Sequence, residues 1–110
     1  MPIVEGLSFA YVLHELPPGR LPFRRWRWEL WHGATLEAAG WRLTERDAKR
    51  ALRTHAARVG HRIFGLRDPA HDPGVPDFRP GAAVRVRAGA IAFALVPRHL
   101  ERPDPLAILA

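Results

Sequence analysis

The chain of 110 residues contains no cysteine, no asparagine and no glutamine, and it has only one serine and one lysine. The absence of cysteine excludes a disulfide framework, a thiolate metal site and a cysteine nucleophile. The absence of asparagine and glutamine removes the side chains that usually read adenine. It also points to a GC-rich genome, so that part of the arginine excess is compositional. The single serine, Ser8, stands in no Gly-x-Ser-x-Gly motif, and no nucleophile elbow is predicted.

Long apolar segments are missing as well. The longest apolar run, residues 88–97, is shorter than the roughly 20 residues that a membrane-spanning helix needs. Residues 1–5 lack the positive flank and apolar run of a signal peptide, so we expect a cytoplasmic protein without a membrane association. A length of 110 residues and an apolar fraction of 47% predict one folded domain with a single core.

Positive charge is concentrated in the middle of the chain. The net charge is +6, from sixteen arginines and one lysine against eleven acidic residues. Residues 20–67 carry twelve of these basic residues and four acidic ones, whereas the remainder carries five and seven. A focused positive field favours a polyanionic partner such as DNA or RNA, or an acidic protein surface.

Alternating and helical patterns predict a single α+β domain. Alternation of apolar and polar residues predicts strands, and a 3.6-residue repeat predicts one helix. The predicted strands are residues 3–16, 24–31, 36–43, 83–87 and 90–96, and the helix begins after Thr44. The order β-β-β-α-β-β predicts an antiparallel or mixed sheet of about five strands with one helix across it. We assign residues 1–97 to the domain, with 24–62 as its core module, 67–80 to a proline-rich loop and 98–110 to a tail.

The turn at residues 32–35 sets the register of the central hairpin. An even loop would pair Trp28 with Ala39 and Trp26 with Trp41, whereas an odd loop would mix the two faces. We favour the even register because it separates apolar from charged side chains. It buries Trp26, Trp28 and Trp41 against the helix residues Leu52, His55 and Val59. It places Arg25, Arg27, Trp31 and Arg42 on the other face.

The predicted helix has a clear start and one apolar stripe. Thr44 is a good N-cap, and Glu45 and Asp47 suit the positive end of the helix dipole. The buried stripe is predicted to comprise Ala48, Ala51, Leu52, His55 and Val59. A charged outer row, Arg46, Lys49, Arg50 and Arg53, together with Ala57, is predicted to face away from the sheet. Gly60 or Gly65 is expected to end the helix.

The central segment carries a characteristic succession of residues: Trp26-Arg27-Trp28, Gly33, Gly40-Trp41, Thr44, Asp47-Ala48 and Ala51-Leu52. It resembles the ββα modules of two families, the AP2-like N-terminal domain of tyrosine integrases and the small YegP-like domain. The resemblance is confined to residues 24–62. It implies an aromatic hairpin followed by a capped helix, and for the first family a sheet that lies in the DNA major groove.

These observations lead to two functional hypotheses. The first is a small basic nucleic-acid-binding domain whose sheet face and helix contact phosphates through Arg25, Arg27, Trp31, Arg42, Arg46, Arg50 and Arg53. The alternative is a protein-interaction or assembly subunit, part of a phage-like or multi-subunit particle or a homo-oligomer. Its features are an exposed Trp31, an apolar end at residues 106–109, and an edge strand at residues 3–13 or 90–96.

Catalytic, metal and cofactor motifs are not found in the sequence. The six histidines lack the spacings of metal ligands on a helix, and His71-Asp72 is only a weak candidate for such chemistry. There is no glycine-rich phosphate loop, and no cofactor is predicted. We therefore do not predict an enzyme. The open alternative is a small ribonuclease-like toxin that uses histidine, arginine and Tyr11 as acid–base groups.

Overall fold

The computed structural model describes residues 4–17, 19–20, 23–69 and 78–98. Its elements are β1 (Val4–Glu15), β2 (Trp26–His32), β3 (Thr35–Arg42), α1 (Glu45–Ile63), β4 (Val84–Ala88) and β5 (Ile91–Pro97). The predicted order β-β-β-α-β-β is confirmed. The predicted sites at His71-Asp72 and at residues 106–109 lie outside the described residues.

The five strands form one mixed sheet in the order β3-β2-β1-β5-β4. β1 is antiparallel to β2 and parallel to β5, and β5 is antiparallel to β4. The prediction that β1 or β5 is an edge strand is therefore wrong. β1 is the central strand because its parallel pairing with β5 joins the N-terminal strands β1, β2 and β3 to the C-terminal hairpin of β4 and β5. The edge strands are β3 and β4.

α1 covers one face of this sheet and closes the core. Alternate side chains of β1 and β5 point to this face, among them Phe9, Tyr11, Phe93 and Leu95, and they are buried. Trp28 of β2 is 2% exposed and stacks on His55 of α1, with ring centroids 5.0 Å apart. The prediction that Trp28 packs against the helix is confirmed.

The helix ends are formed by the predicted signals. The hydroxyl of Thr44 accepts a hydrogen bond from the backbone N–H of Asp47 at 3.1 Å. The helix ends at Ile63, and Gly65 follows with a φ of 69°. The N–H groups of Gly65 and Leu66 donate to the carbonyls of Arg62 and His61 at 3.0 and 2.8 Å. This is a Schellman motif, in which a left-handed glycine lets the chain turn back on the last helical carbonyls.

Small residues bring α1 close to the sheet. Gly60 lies against Ile91 and Leu7, where a β-carbon would overlap the Cδ1 methyl of Ile91. Two residues of the predicted outer row are instead buried, and that assignment is corrected: Ala57 is fully buried and Lys49 is 5% exposed. Lys49 is tolerated there because its ammonium pairs with Glu45 at 2.6 Å and lies over the ring of Phe78. Within the described ranges, no helix has both the length and the hydrophobicity needed to cross a membrane.

A β-bulge changes the register of the central hairpin. Next to the two-residue turn, His32 pairs with Thr35 and Trp31 with Leu36, as the even loop predicts. Beyond this point β3 contains one extra residue, Glu37, so that Leu30 pairs with Ala38. A bulge of this kind turns every following side chain of the bulged strand to the other face.

The bulge exchanges the positions of Trp41 and Arg42. Trp28 pairs with Gly40, whose small size lets the indole approach, and Trp26 pairs with Arg42. The predicted pairs Trp28–Ala39 and Trp26–Trp41 are wrong beyond the bulge. Arg42 therefore lies on the helix side of the sheet, and Trp41 lies on the opposite face with 46% of its surface exposed.

Candidate nucleic-acid interface

The sheet face opposite α1 is covered by no element among the described residues. We call it the open face. Side chains that are paired across strands share a face, so the pairing of Ala10 with both Trp31 and Val96 defines it. Its polar and aromatic members are Ser8, His14, Arg27, Glu29, Trp31, Trp41, Arg85, Arg87 and Arg98.

Small side chains form the floor of the open face. Ser8 and Ala10 of β1 lie beside Ala94 and Val96 of β5 in the parallel pair. The larger side chains stand on the strands to either side, β2 and β3 at one edge and β4 at the other. Three strand spacings separate β2 from β4, which makes the floor about 14 Å wide.

One wall is an ordered cluster of aromatic and charged groups on β2. The indole N–H of Trp31 donates to one carboxylate oxygen of Glu29 at 2.8 Å. The guanidinium of Arg27 lies 3.4 Å from the other oxygen of that carboxylate. The guanidinium of Arg98 stacks on the Trp31 ring at 3.8 Å from its centroid, which is a close cation–π contact. Glu29 thus orients both an arginine and an indole on the open face.

Trp41 extends this wall onto the edge strand β3. It pairs with Arg27 and is nearly half exposed, so that its ring is available to a planar ligand. An exposed tryptophan beside an arginine offers a stacking surface next to a phosphate-binding fork.

The opposite wall is formed by the arginines of β4. Val84 and Val86 point to the core, and Arg85 and Arg87 are exposed on the open face, as the alternation predicts. Both arginines pair with small side chains, Arg85 with Ala94 and Arg87 with Ala92. Among the described residues the open face therefore holds four arginines and the single carboxylate of Glu29.

The structure divides the predicted interface between the two sides of the sheet. Arg27 and Trp31 lie together on the open face, and Arg25 precedes β2 with its guanidinium beside Gly19. Arg42 is on the helix side, and the three predicted helix residues Arg46, Arg50 and Arg53 belong to α1. The prediction that Arg42 shares a face with Arg27 and Trp31 is wrong, because of the extra residue in β3.

Sequence reasoning missed Trp41, Arg85, Arg87 and Arg98 as members of the same surface. The alternation of β4 already indicates that its two arginines point outward. It does not indicate their partners, because the pairing of β5 with β1 connects distant parts of the chain. No local signal marks Arg98, which reaches Trp31 across β1 from the end of β5.

The groups proposed for acid–base chemistry have structural contacts. The Tyr11 hydroxyl donates to the carbonyl of Ala82 and lies 3.4 Å from that of Arg79. Burial raises the pKa of Tyr11, and its bonds to the backbone oppose this shift only in part. Tyr11 thereby anchors the segment before β4 rather than facing a cleft. The described ranges contain no group of three or more histidine, aspartate or glutamate side chains that could hold a metal ion.

Comparisons with protein-family models, with characterised proteins and with solved structures gave no significant match for this chain. The resemblance of residues 24–62 to integrase and YegP-like modules stays a prediction.

Proposed function

We propose that this protein binds single-stranded nucleic acid across the open face. The observation that carries the proposal is the arrangement of two tryptophans and four arginines around small residues on a sheet face that no described element covers. Proteins that bind single strands combine a positive groove with aromatic stacking platforms, and this surface has both. A cytoplasmic location belongs to this proposal.

In this proposal one wall contacts the bases of the strand, and the other wall contacts its phosphates. Trp41 stacks on a base, and the Arg98–Trp31 pair offers a second flat surface formed by the outer side of a guanidinium. Arg85 and Arg87 contact phosphates from the opposite edge, where the small alanines of β5 let the backbone of the strand approach. With no asparagine or glutamine in the chain, the usual adenine readers are missing, and the arginine forks favour contacts with guanine.

Fluorescence anisotropy with labelled single-stranded DNA, single-stranded RNA and duplex DNA tests the proposal. Single strands should bind more tightly than the duplex, and affinity should fall with salt. Each phosphate contact contributes about −0.7 to the log–log slope for single strands, so four contacts give a slope of about −3. Trp41→Ala should weaken binding about 5-fold or more, since stacking on one base is worth about 1–3 kcal/mol.

The matched control is Arg46→Ala, which removes one positive charge from the helix side. It should lower affinity much less than Arg87→Ala, which removes the same charge from the open face. Equal effects would show that binding follows net charge and not the open face. Failure to bind any strand more tightly than about 100 μM at low salt would refute the proposal.

One feature supports the assembly hypothesis as the second candidate. Ile63, Phe64 and Leu66 follow one another at the end of α1 and are each more than a third exposed. Exposed apolar groups in sequence are typical of a contact surface. A chain that binds no nucleic acid and behaves as a defined oligomer in light scattering would support this candidate instead.

A further inference from the structure

A second basic site lies on the helix side of the sheet, separate from the open face. It is an open cleft of about 390 Å³ between α1 and the end of β3. Its lining residues are Arg42, Asp47, Arg50, Ala51, Thr54, His55 and Arg58. The helical members recur three and four residues apart, so one side of α1 supplies six of the seven.

The bulge in β3 completes the cleft. Because Glu37 is an extra residue, Arg42 turns to the helix side and faces α1. Its guanidinium lies 5.9 Å from the ring centroid of Trp28, and the His55 ring stacks on the same indole at 5.0 Å. The buried Trp28 side chain therefore contacts both the Arg42 guanidinium and the His55 ring from the core side of the cleft.

The lining is rich in hydrogen-bond donors and poor in acceptors. Each guanidinium has five N–H donors and no acceptor, whereas the only carboxylate in the lining is that of Asp47. Within the described part of the chain, no carboxylate lies within ion-pair distance of Arg42 or Arg58. The guanidinium groups of Arg42 and Arg58 therefore favour a ligand with several acceptor oxygens and a negative charge.

The electrostatic environment of His55 reports the same positive potential. Burial lowers the pKa of His55, and the nearby charges of Arg58, Arg42 and Arg62 lower it further. Arg50 and the opposing Asp47 are the other charged groups of the lining. His55 is therefore a neutral donor or acceptor at neutral pH, and it senses any anion that enters the cleft.

We propose that this cleft binds a phosphate monoester through the guanidinium groups of Arg42 and Arg58. Two planar forks can each take two phosphate oxygens, which neither a lysine nor a backbone dipole can do. The volume of the cleft is at the lower end of the range for ligand pockets and exceeds what a bare phosphate requires. The cleft therefore has room for a phosphate that is carried by a larger group. This site does not depend on nucleic-acid binding by the open face.

The test follows the His55 imidazole by NMR while inorganic phosphate or adenosine monophosphate is added to the full chain. Binding of a dianion beside His55 should raise its pKa, because the anion offsets the arginine charges. Arg58→Ala should weaken binding about 10-fold or more, the usual effect of losing a hydrogen bond to a charged group. Arg42→Lys should also weaken binding, although it keeps the charge, because the planar fork is lost.

Arg87→Ala is the matched control, since it removes one positive charge from the far side of the sheet. It should leave phosphate binding unchanged, and Arg58→Ala should leave the salt-dependent binding of 5′-hydroxyl single strands unchanged. The proposal of a phosphate site and the proposal of nucleic-acid binding by the open face can therefore be refuted independently. An unchanged His55 pKa at saturating phosphate and adenosine monophosphate would overturn the proposal. Equal losses in the Arg58 and Arg87 variants would overturn it as well.

Two sources of the phosphate monoester can be separated with the same readout. If a 5′-phosphorylated oligonucleotide binds the cleft more tightly than adenosine monophosphate, the ligand is the end of a strand. If the nucleotide binds at least as tightly, the ligand is a free phosphorylated metabolite. Either result supports the cleft as a phosphate-monoester site.

Discussion

Gly60 tests whether packing against the sheet or helix propensity dominates in α1. Alanine is favoured over glycine inside a helix by about 1 kcal/mol, so an exposed Gly60→Ala change would stabilise the protein. Here the new methyl group would overlap the Cδ1 atom of Ile91 and lie 3.1 Å from Cδ2 of Leu7. Ile91 is fully buried and has little room to move.

The expected cost follows from these two opposing effects. An extra methyl group in a packed core costs about 1–3 kcal/mol, which exceeds the gain in helix propensity. We expect Gly60→Ala to lower the free energy of unfolding by about 1–2 kcal/mol, which corresponds to a fall in Tm of several degrees in a domain of this size. Urea unfolding monitored by tryptophan fluorescence and by circular dichroism measures this change.

A double-mutant cycle with Ile91→Val isolates the contact. Valine lacks the Cδ1 atom, and the single change should cost about 1 kcal/mol. In the double variant the alanine methyl takes the space of Cδ1, so the combined cost should be smaller than the sum by about 1 kcal/mol. Gly65→Ala is the control because Gly65 has a φ of 69° and a β-carbon added there would meet no atom within 4 Å. Its cost should be additive with Ile91→Val. A stabilising Gly60→Ala, or additivity at both positions, would refute the close contact.

Two further predictions concern the tryptophans Trp28 and Trp41 and the histidine His55, which stacks on Trp28. Trp28→Ala should lower the free energy of unfolding by about 3–5 kcal/mol, and Trp41→Ala should lower it much less because Trp41 is exposed. A larger loss at Trp41 would contradict the observed register. Stability should also fall as pH drops below the unfolded histidine pKa of 6.5, since the folded state lowers the pKa of His55 and the unfolded state then binds more protons. His55→Gln should weaken this pH dependence in urea unfolding, and an unchanged profile would contradict it.

Local signals explain how much of the fold could be predicted. The Thr44 cap and Gly65 mark the helix ends through side-chain and backbone groups that are close in sequence. The alternation within β2 identifies Trp28 as a core residue, and this signal also depends only on residues that are close in sequence. The central position of β1 could not be derived, because it depends on parallel pairing with β5, more than 80 residues away. The prediction that Lys49 faces away from the sheet is wrong because its burial depends on Phe78, which lies outside the helix.

The candidate site was harder to predict than the fold because a single residue decides which face a side chain occupies. Leu36-Glu37-Ala38 contains no glycine or other residue typical of a bulge, so nothing in the sequence marks the extra position. Glu37 nevertheless determines which face of the sheet each following side chain of β3 occupies. A prediction based on alternation alone is therefore correct up to the bulge at Glu37 and inverted beyond it.

The same extra residue links the two proposed surfaces. Without Glu37, Trp41 would enter the crowded space beneath α1, and Arg42 would join Arg27 on the open face. With it, an aromatic ring stands beside Arg27 on the open face, and a guanidinium stands opposite Arg58 across the cleft. With the bulge, Gly40 instead of Ala39 lies opposite Trp28, and its small size leaves room for the indole on which His55 stacks. The hairpin thus gives up one buried aromatic side chain, and each side of the sheet gains a group suited to an anionic partner.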